Sequence, residues 1–139
     1  MPITLQNASD LLSLADIERL WQATLAHTDH GDLDLTVRFV DETEIQRLNR
    51  EHRGKDAPTN VLTFSYGDGV HDVAVCLAVA AREAAERSAP ARDYLALVIV
   101  HGFLHAAGFD HEHSAAAAEA TQVAEQAILQ RAGFAAAHL

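Results

Sequence analysis

Cysteine is almost missing from this chain. Cys76 stands alone among 139 residues, so no internal disulfide can brace the fold. It lies in an apolar run and reads as a small core residue, not as a ligand or nucleophile. No apolar run approaches the ~18 residues of a membrane span, and none is expected. The opening Met1-Pro2-Ile3-Thr4-Leu5 lacks the charged and apolar regions of a secretory signal, so none is expected there. A cytoplasmic location fits these absences. Positive charge is scarce as well: 10 Lys and Arg stand against 20 Asp and Glu, a formal net charge of −10. That argues against a general nucleic-acid binder, which is usually basic. It leaves room for a local cationic site, with weak nonspecific binding or a partner that presents the nucleic acid. No internal repeat or linker divides the sequence. With 49% apolar residues the whole chain, 1–139, is expected to fold as one domain with one core.

Against these absences one stretch stands out, His101-Gly102-Phe103-Leu104-His105-Ala106-Ala107-Gly108-Phe109-Asp110-His111. Pro90 suits a helix start and Gly108 a helix end, so a helix is expected over about Ala91 to Ala107. It is apolar nearly all round, which predicts burial at the centre of the domain. His101 and His105, at i and i+4, share one face. Gly108 lets the chain reverse, and the return can bring His111 to the same point. Buried polar groups need partners. One zinc ion per chain, held by His101, His105 and His111 with one position open, satisfies all three rings. His113 reads as a surface residue more readily than as a spare ligand. The spacing is similar to that of the His-Glu-x-x-His zinc proteases, but Gly102 stands where their general-base glutamate would. A helical glycine costs ~1 kcal/mol relative to Ala, which points to close approach of another backbone or of substrate.

Elsewhere the patterns are local and clear. Ile3 to Leu5 reads as a short strand. Ser13-x-x-Asp16 resembles a capping box before a helix carrying Leu14, Ile17, Trp21 and Leu25 to about His27. His27 and His30 belong to its polar end, and Gly31 can stop it. Leu33, Leu35, Val37 and Phe39 alternate with polar residues, as in a strand with one buried face. Asp41-x-x-Glu44 opens a helix carrying Ile45 and Leu48. Val61 to Tyr66 reads as a buried strand, paired through Gly67-Asp68-Gly69 with a strand over Val70 to Cys76. A helix over about Leu77 to Arg87 is expected to pack through Leu77, Ala81, Ala84 and Ala85. Ser114 caps an Ala-rich last helix that packs through Val123, Ala127 and Ile128 and ends near Gly133. The expected fold is α+β: about four strands in a small mixed sheet, with helices against it and the histidine helix at the core.

The one cationic concentration is Arg47, Arg50, Arg53 and Lys55. The first two suit a helix end, where basic residues complement the dipole. Arg53 and Lys55 are expected beyond it, in a loop, better placed to meet a phosphate.

The histidine stretch resembles the signature of the YbeY family of bacterial endoribonucleases. So do Leu48-Asn49, Arg53-Gly54-Lys55-Asp56 and Thr59-Asn60-Val61-Leu62-Thr63-Phe64. The resemblance runs more weakly over most of the chain. It implies a zinc-dependent, single-strand-specific endoribonuclease that matures ribosomal RNA at the small-subunit 3′ end and serves ribosome quality control. The ribosome or small-subunit assembly proteins are the implied partners. The role of the family's catalytic or phosphate-binding Arg carries to Arg53, with Lys55 beside it. Asn60 and Thr63 replace a common Asp and Ser, so Asn60 is not an acid or base. Asp72 matches a Gly-Asp-Ile element whose Gly is His71 here. It is either a carboxylate behind a ligand or merely polar on the open face. Asp110 either holds a ligand imidazole or caps the turn. Zinc chemistry can activate water or polarise the phosphate toward 2′-hydroxyl attack, and both remain open. A zinc peptidase, or a non-catalytic ribosome-assembly factor with structural zinc, are the alternatives. Gly102 weakens the first, and three ligands without a fourth weaken the second.

Overall fold

Leu35, Val37 and Phe39 build the interior of the sheet. They are the buried positions of β2 (Asp34–Val40), a strand whose alternate residues are half-covered. The computed structural model describes residues 3–7, 9–28, 33–109 and 114–135. The expectations placed on His30, Gly31, Asp110, His111 and His113 lie outside these residues. Among the described residues, β1 (Ile3–Gln6) and β4 (Val70–Cys76) flank β2, both parallel to it. β3 (Val61–Ser65) pairs antiparallel with β4, giving the order β1-β2-β4-β3. This is the expected small mixed sheet of an α+β domain. The hairpin between β3 and β4 turns at Gly67, Asp68 and Gly69, all with positive φ. β3 departs from expectation. It is an edge strand ending at Ser65, and only Leu62 in it is buried. Strand order, which the alternation does not encode, leaves its other side open.

Five helices complete the described chain. α1 (Leu14–Thr28) starts at the expected capping box: the Ser13 amide donates to Asp16 Oδ2 at 2.9 Å, and the Asp16 amide to Ser13 Oγ at 3.1 Å. Its core face runs through Ile17, Leu20, Trp21 and Leu25, while Leu14 is exposed. α2 (Glu42–Arg53) is capped by Asp41, which accepts from the Glu44 amide at 2.8 Å. α3 (Leu77–Glu86) packs through Val79, Ala80 and Ala84, and the expected Ala81 and Ala85 face solvent.

α4 (Ala91–Ala106) is the histidine helix. Every residue from Tyr94 to Val100, and Gly102 to Leu104, is buried. Trp21 meets Phe103 edge-on at 5.0 Å, locking α1 to α4. The helix ends at Gly108, whose φ is +99. The Gly108 amide bonds the His105 carbonyl at 3.1 Å and the Phe109 amide bonds that of Leu104 at 2.9 Å. That Schellman pairing needs the left-handed residue that glycine supplies. α5 (Ala115–Arg131) begins at Ser114, whose hydroxyl accepts from the Ala117 amide at 3.0 Å. Its packing side is Thr121, Ala124, Glu125, Ile128 and Leu129, and Val123 is exposed, contrary to expectation.

The two sheet faces serve different ends. α4 lies against the face bearing Val61, Thr63 and Val73. The opposite face buries Leu62, Ala74 and Cys76 against Ile45 and Leu48 of α2. Cys76 is thus the core residue its surroundings implied.

Candidate active site

His101 and His105 sit one turn apart on α4 and share a wall of one cleft of about 580 Å³. The edge strand β3 supplies the facing wall through Val61, Thr63 and Ser65. Arg53 and His52 close one end from the last turn of α2. The site therefore depends on the fold in a simple way: a buried helix presents imidazoles across the open edge of a sheet. Gly102 makes that approach possible. A Cβ there would lie 2.8 Å from Val73 Cγ1 and 2.9 Å from Val61 Cγ2. The close neighbours are sheet side chains, so the glycine answers packing between helix and sheet, and it also lines the cleft. Thr63 adds a bond across the same gap, its hydroxyl donating to the Gly102 carbonyl at 3.0 Å.

His101 is mostly buried, and its Nδ1 lies 2.5 Å from Glu125 Oε2. Glu125 is only 3% exposed. A buried carboxylate on one ring nitrogen leaves the other as the donor, and two imidazoles one turn apart are a donor pair of the kind a divalent metal takes. Among the described residues no group of three metal-ligating side chains is gathered, and His111 lies outside them.

Arg53 is the final residue of α2, not a loop residue as expected; the helix runs one turn further before Gly54 ends it with φ +71. Lys55 follows in the loop, exposed, and the cleft wall is formed without it. The other two arginines of the basic run are engaged on the surface. Arg47 pairs with Glu44 and Glu51, and Arg50 with Asp56 at 3.4 Å. Asp72 alternates to the sheet face away from α4. It accepts from the Tyr66 hydroxyl at 3.1 Å and lies 3.8 Å from Arg38 Nε. It is therefore not a carboxylate behind the described histidines. Asp110 is outside the described residues.

Three features were missed in the sequence. Glu125 falls on the buried stripe of α5, but the even spread of alanines hid which side was inward. His52 lines the cleft and tilts against Phe64, ring centroids 4.6 Å apart. Behind His101, Glu83 Oε1 accepts from both Asn60 Nδ2, at 2.8 Å, and the Tyr94 hydroxyl, at 2.9 Å. Asn60 thus serves as a donor to a carboxylate, a role the family's common Asp would fill only when protonated.

Burial, reinforced by the Glu83 carboxylate, pushes the Tyr94 phenol up to about 12. Folding favours the neutral phenol, so this stabilisation is complete below the unfolded value near 10 and is lost as pH rises from about 10 to about 12. Tyr94→Phe is expected to flatten that part of the alkaline stability limb. Denaturant midpoints measured across it test this; an unchanged slope would place the loss of stability elsewhere.

A family model described as Endoribonuclease YbeY matches residues 4–133. A relative of that name from Aromatoleum aromaticum is 47% identical over 107 residues, covering 75% of this chain and 69% of its own. One of that name from Acidovorax ebreus is 42% identical over 142 aligned positions, covering 97% and 93%. The solution structure of a Thermotoga maritima protein matches with TM-score 0.64 and 27% identity, over 93% of this chain and 90% of the other.

Proposed function

Since the chain belongs to the endoribonuclease YbeY family, an enzyme hydrolysing RNA, we propose that its cleft cleaves single-stranded ribosomal RNA with the help of one zinc ion. His101, His105 and His111 would hold the ion. Bound there, it supplies Lewis acidity beside the scissile phosphate. The remaining work falls to the chain. Arg53 offers planar, bidentate donors to the non-bridging phosphate oxygens, where charge grows in the transition state. Thr63 and the close seat of Gly102 hold the histidine helix at a fixed distance from β3.

One observation carries this reading: in a chain of net charge −10, Arg53 shares the cleft of His101 and His105. A phosphodiester needs that cation, whereas a peptide does not. The peptidase and the non-catalytic alternatives therefore lose ground, in keeping with the relatives' shared name. Among the described residues no helix is long and apolar enough to cross a membrane. We place the protein in the cytoplasm, acting at the small-subunit 3′ end with the ribosome or its assembly proteins presenting the RNA. An acidic surface makes such presentation valuable, since repulsion weakens unaided RNA binding.

Chelator-stripped and zinc-reloaded protein, assayed in parallel on ribosomal RNA with single-stranded segments and on casein, tests the proposal. RNA cleavage should vanish on stripping and return with one zinc per chain, with casein untouched. Casein cleavage, or RNA cleavage indifferent to chelation, would overturn it.

A further inference from the structure

We infer that Glu125 is a positioning residue: its buried carboxylate holds His101 in the tautomer that presents Nε2 as the ligating nitrogen. The inference rests on the reading of His101 as a metal ligand. Glu125 comes from α5, 24 residues beyond His101, and reaches Nδ1 at 2.5 Å. It is 3% exposed and the His101 side chain 16%, so the contact is largely shielded from water.

Two physical points give the contact a direction. A carboxylate oxygen is an acceptor, so a neutral imidazole facing it is held with its proton on Nδ1 and its lone pair on Nε2. A carboxylate on the far nitrogen also makes the imidazole a more basic ligand and fixes its plane. Simple helix packing would not demand an acid here. An apolar residue of similar size would fill the α4–α5 contact without the cost of burying charge. Glu83 offers a contrast within the same fold. It too is partly buried, but its Oε1 accepts from the neutral donors Asn60 and Tyr94, neither of them a cleft histidine. The two acids therefore divide the region behind the site. Glu83 ties α3 to α4 and the start of β3, while Glu125 acts on a ring that faces the cleft.

Two variants separate positioning from packing. Glu125→Leu keeps apolar bulk between the helices and removes the acceptor. Glu125→Gln keeps a neutral acceptor, about half as strong as a charged one. Zinc affinity is measured by competition with a chromophoric chelator, and the metal-free His101 tautomer by nitrogen-15 NMR of the imidazoles. Thermal melts check that each variant folds. Loss of such an outer partner typically weakens metal binding by about 10–100-fold, and that is the result expected for Glu125→Leu. Glu125→Gln should lose a smaller factor, about 3–10-fold, as a weaker but surviving hydrogen bond implies. The metal-free wild type should show His101 protonated at Nδ1, and the Leu variant should shift toward Nε2–H. A purely structural role would move the melts and leave the tautomer alone. Wild-type affinity in a folded Leu variant, or in the Gln variant if Leu does not fold, overturns the inference. A wild-type protein that takes up no zinc overturns the metal reading itself, and this inference with it, before any substitution is compared.

Discussion

Arg53→Ala is expected to slow single-turnover RNA cleavage by about 10²–10³, the usual effect of removing one well-placed donor to transition-state charge, or about 3–4 kcal/mol. The position makes the effect specific. Arg53 closes α2 and reaches the cleft shared with His101 and His105. Arg53→Lys keeps the charge but loses the planar fork, so it should recover only part of the rate. Neither change should alter the metal content of the protein, because a guanidinium is no ligand. Arg47→Ala is the matched control. Its guanidinium pairs with Glu44 and Glu51 and does not line the cleft, so its loss should leave the cleavage step nearly intact. Saturating enzyme, one turnover and zinc content measured in the same samples separate binding from chemistry. A wild-type rate in Arg53→Ala would return the basic run to the solvated surface.

Gly102→Ala should destabilise the protein although alanine is the better helix former. Propensity favours the change by ~1 kcal/mol. Against it, the new methyl would meet Val73 Cγ1 at 2.8 Å and Val61 Cγ2 at 2.9 Å. Both neighbours are β-branched and stiff at χ1, and Val73 is fully buried, so neither yields easily. Overpacking of this kind costs about 1–3 kcal/mol. The relief available is for α4 to move off the sheet, which stretches the Thr63 bond to the Gly102 carbonyl and carries His101 and His105 with it. Stability and cleavage should therefore fall together. The larger Gly102→Val should fall further on both. An alanine variant that melts higher and cleaves as well as wild type would show that the helix can retreat without disturbing the site.

Those two residues mark how far the sequence was legible. The histidine helix, its Gly108 stop and the caps at Ser13, Asp41 and Ser114 follow from local rules, and the structure shows each. A capping hydroxyl or a left-handed glycine acts on amides a few residues away, so nearby sequence is enough. Gly102 announced an anomaly but not its cause, because Val61 and Val73 are brought to it only by the sheet. Arg53 lines the histidines' cleft but was placed one structural element too late, since α2 continues through a basic last turn that suits its dipole. Asp72 could not be placed without strand register; one residue's alternation sends it away from α4. Glu125 stayed hidden for a different reason. In a helix built largely of alanine, the apolar stripe has little contrast, and a glutamate on the buried side looks like any solvated one.

The burial of α4 also sets how the site can move. Its backbone bonds lie in the most enclosed part of the domain, so exposing them requires opening much of the fold at once. The last turn of α2, from Arg50 to Arg53, is exposed, and helix ends of that kind fray at far lower free energy. The cleft thus joins walls from opposite ends of the local-unfolding hierarchy. On the imidazole wall, His101 is flanked by buried residues and stays with the core, while His105 stands exposed in the last turn of α4. On the guanidinium wall, the end of α2 is held by the Gly54 amide on the Arg50 carbonyl and the Lys55 amide on the Asn49 carbonyl, so opening those two bonds is the local event that would release Arg53.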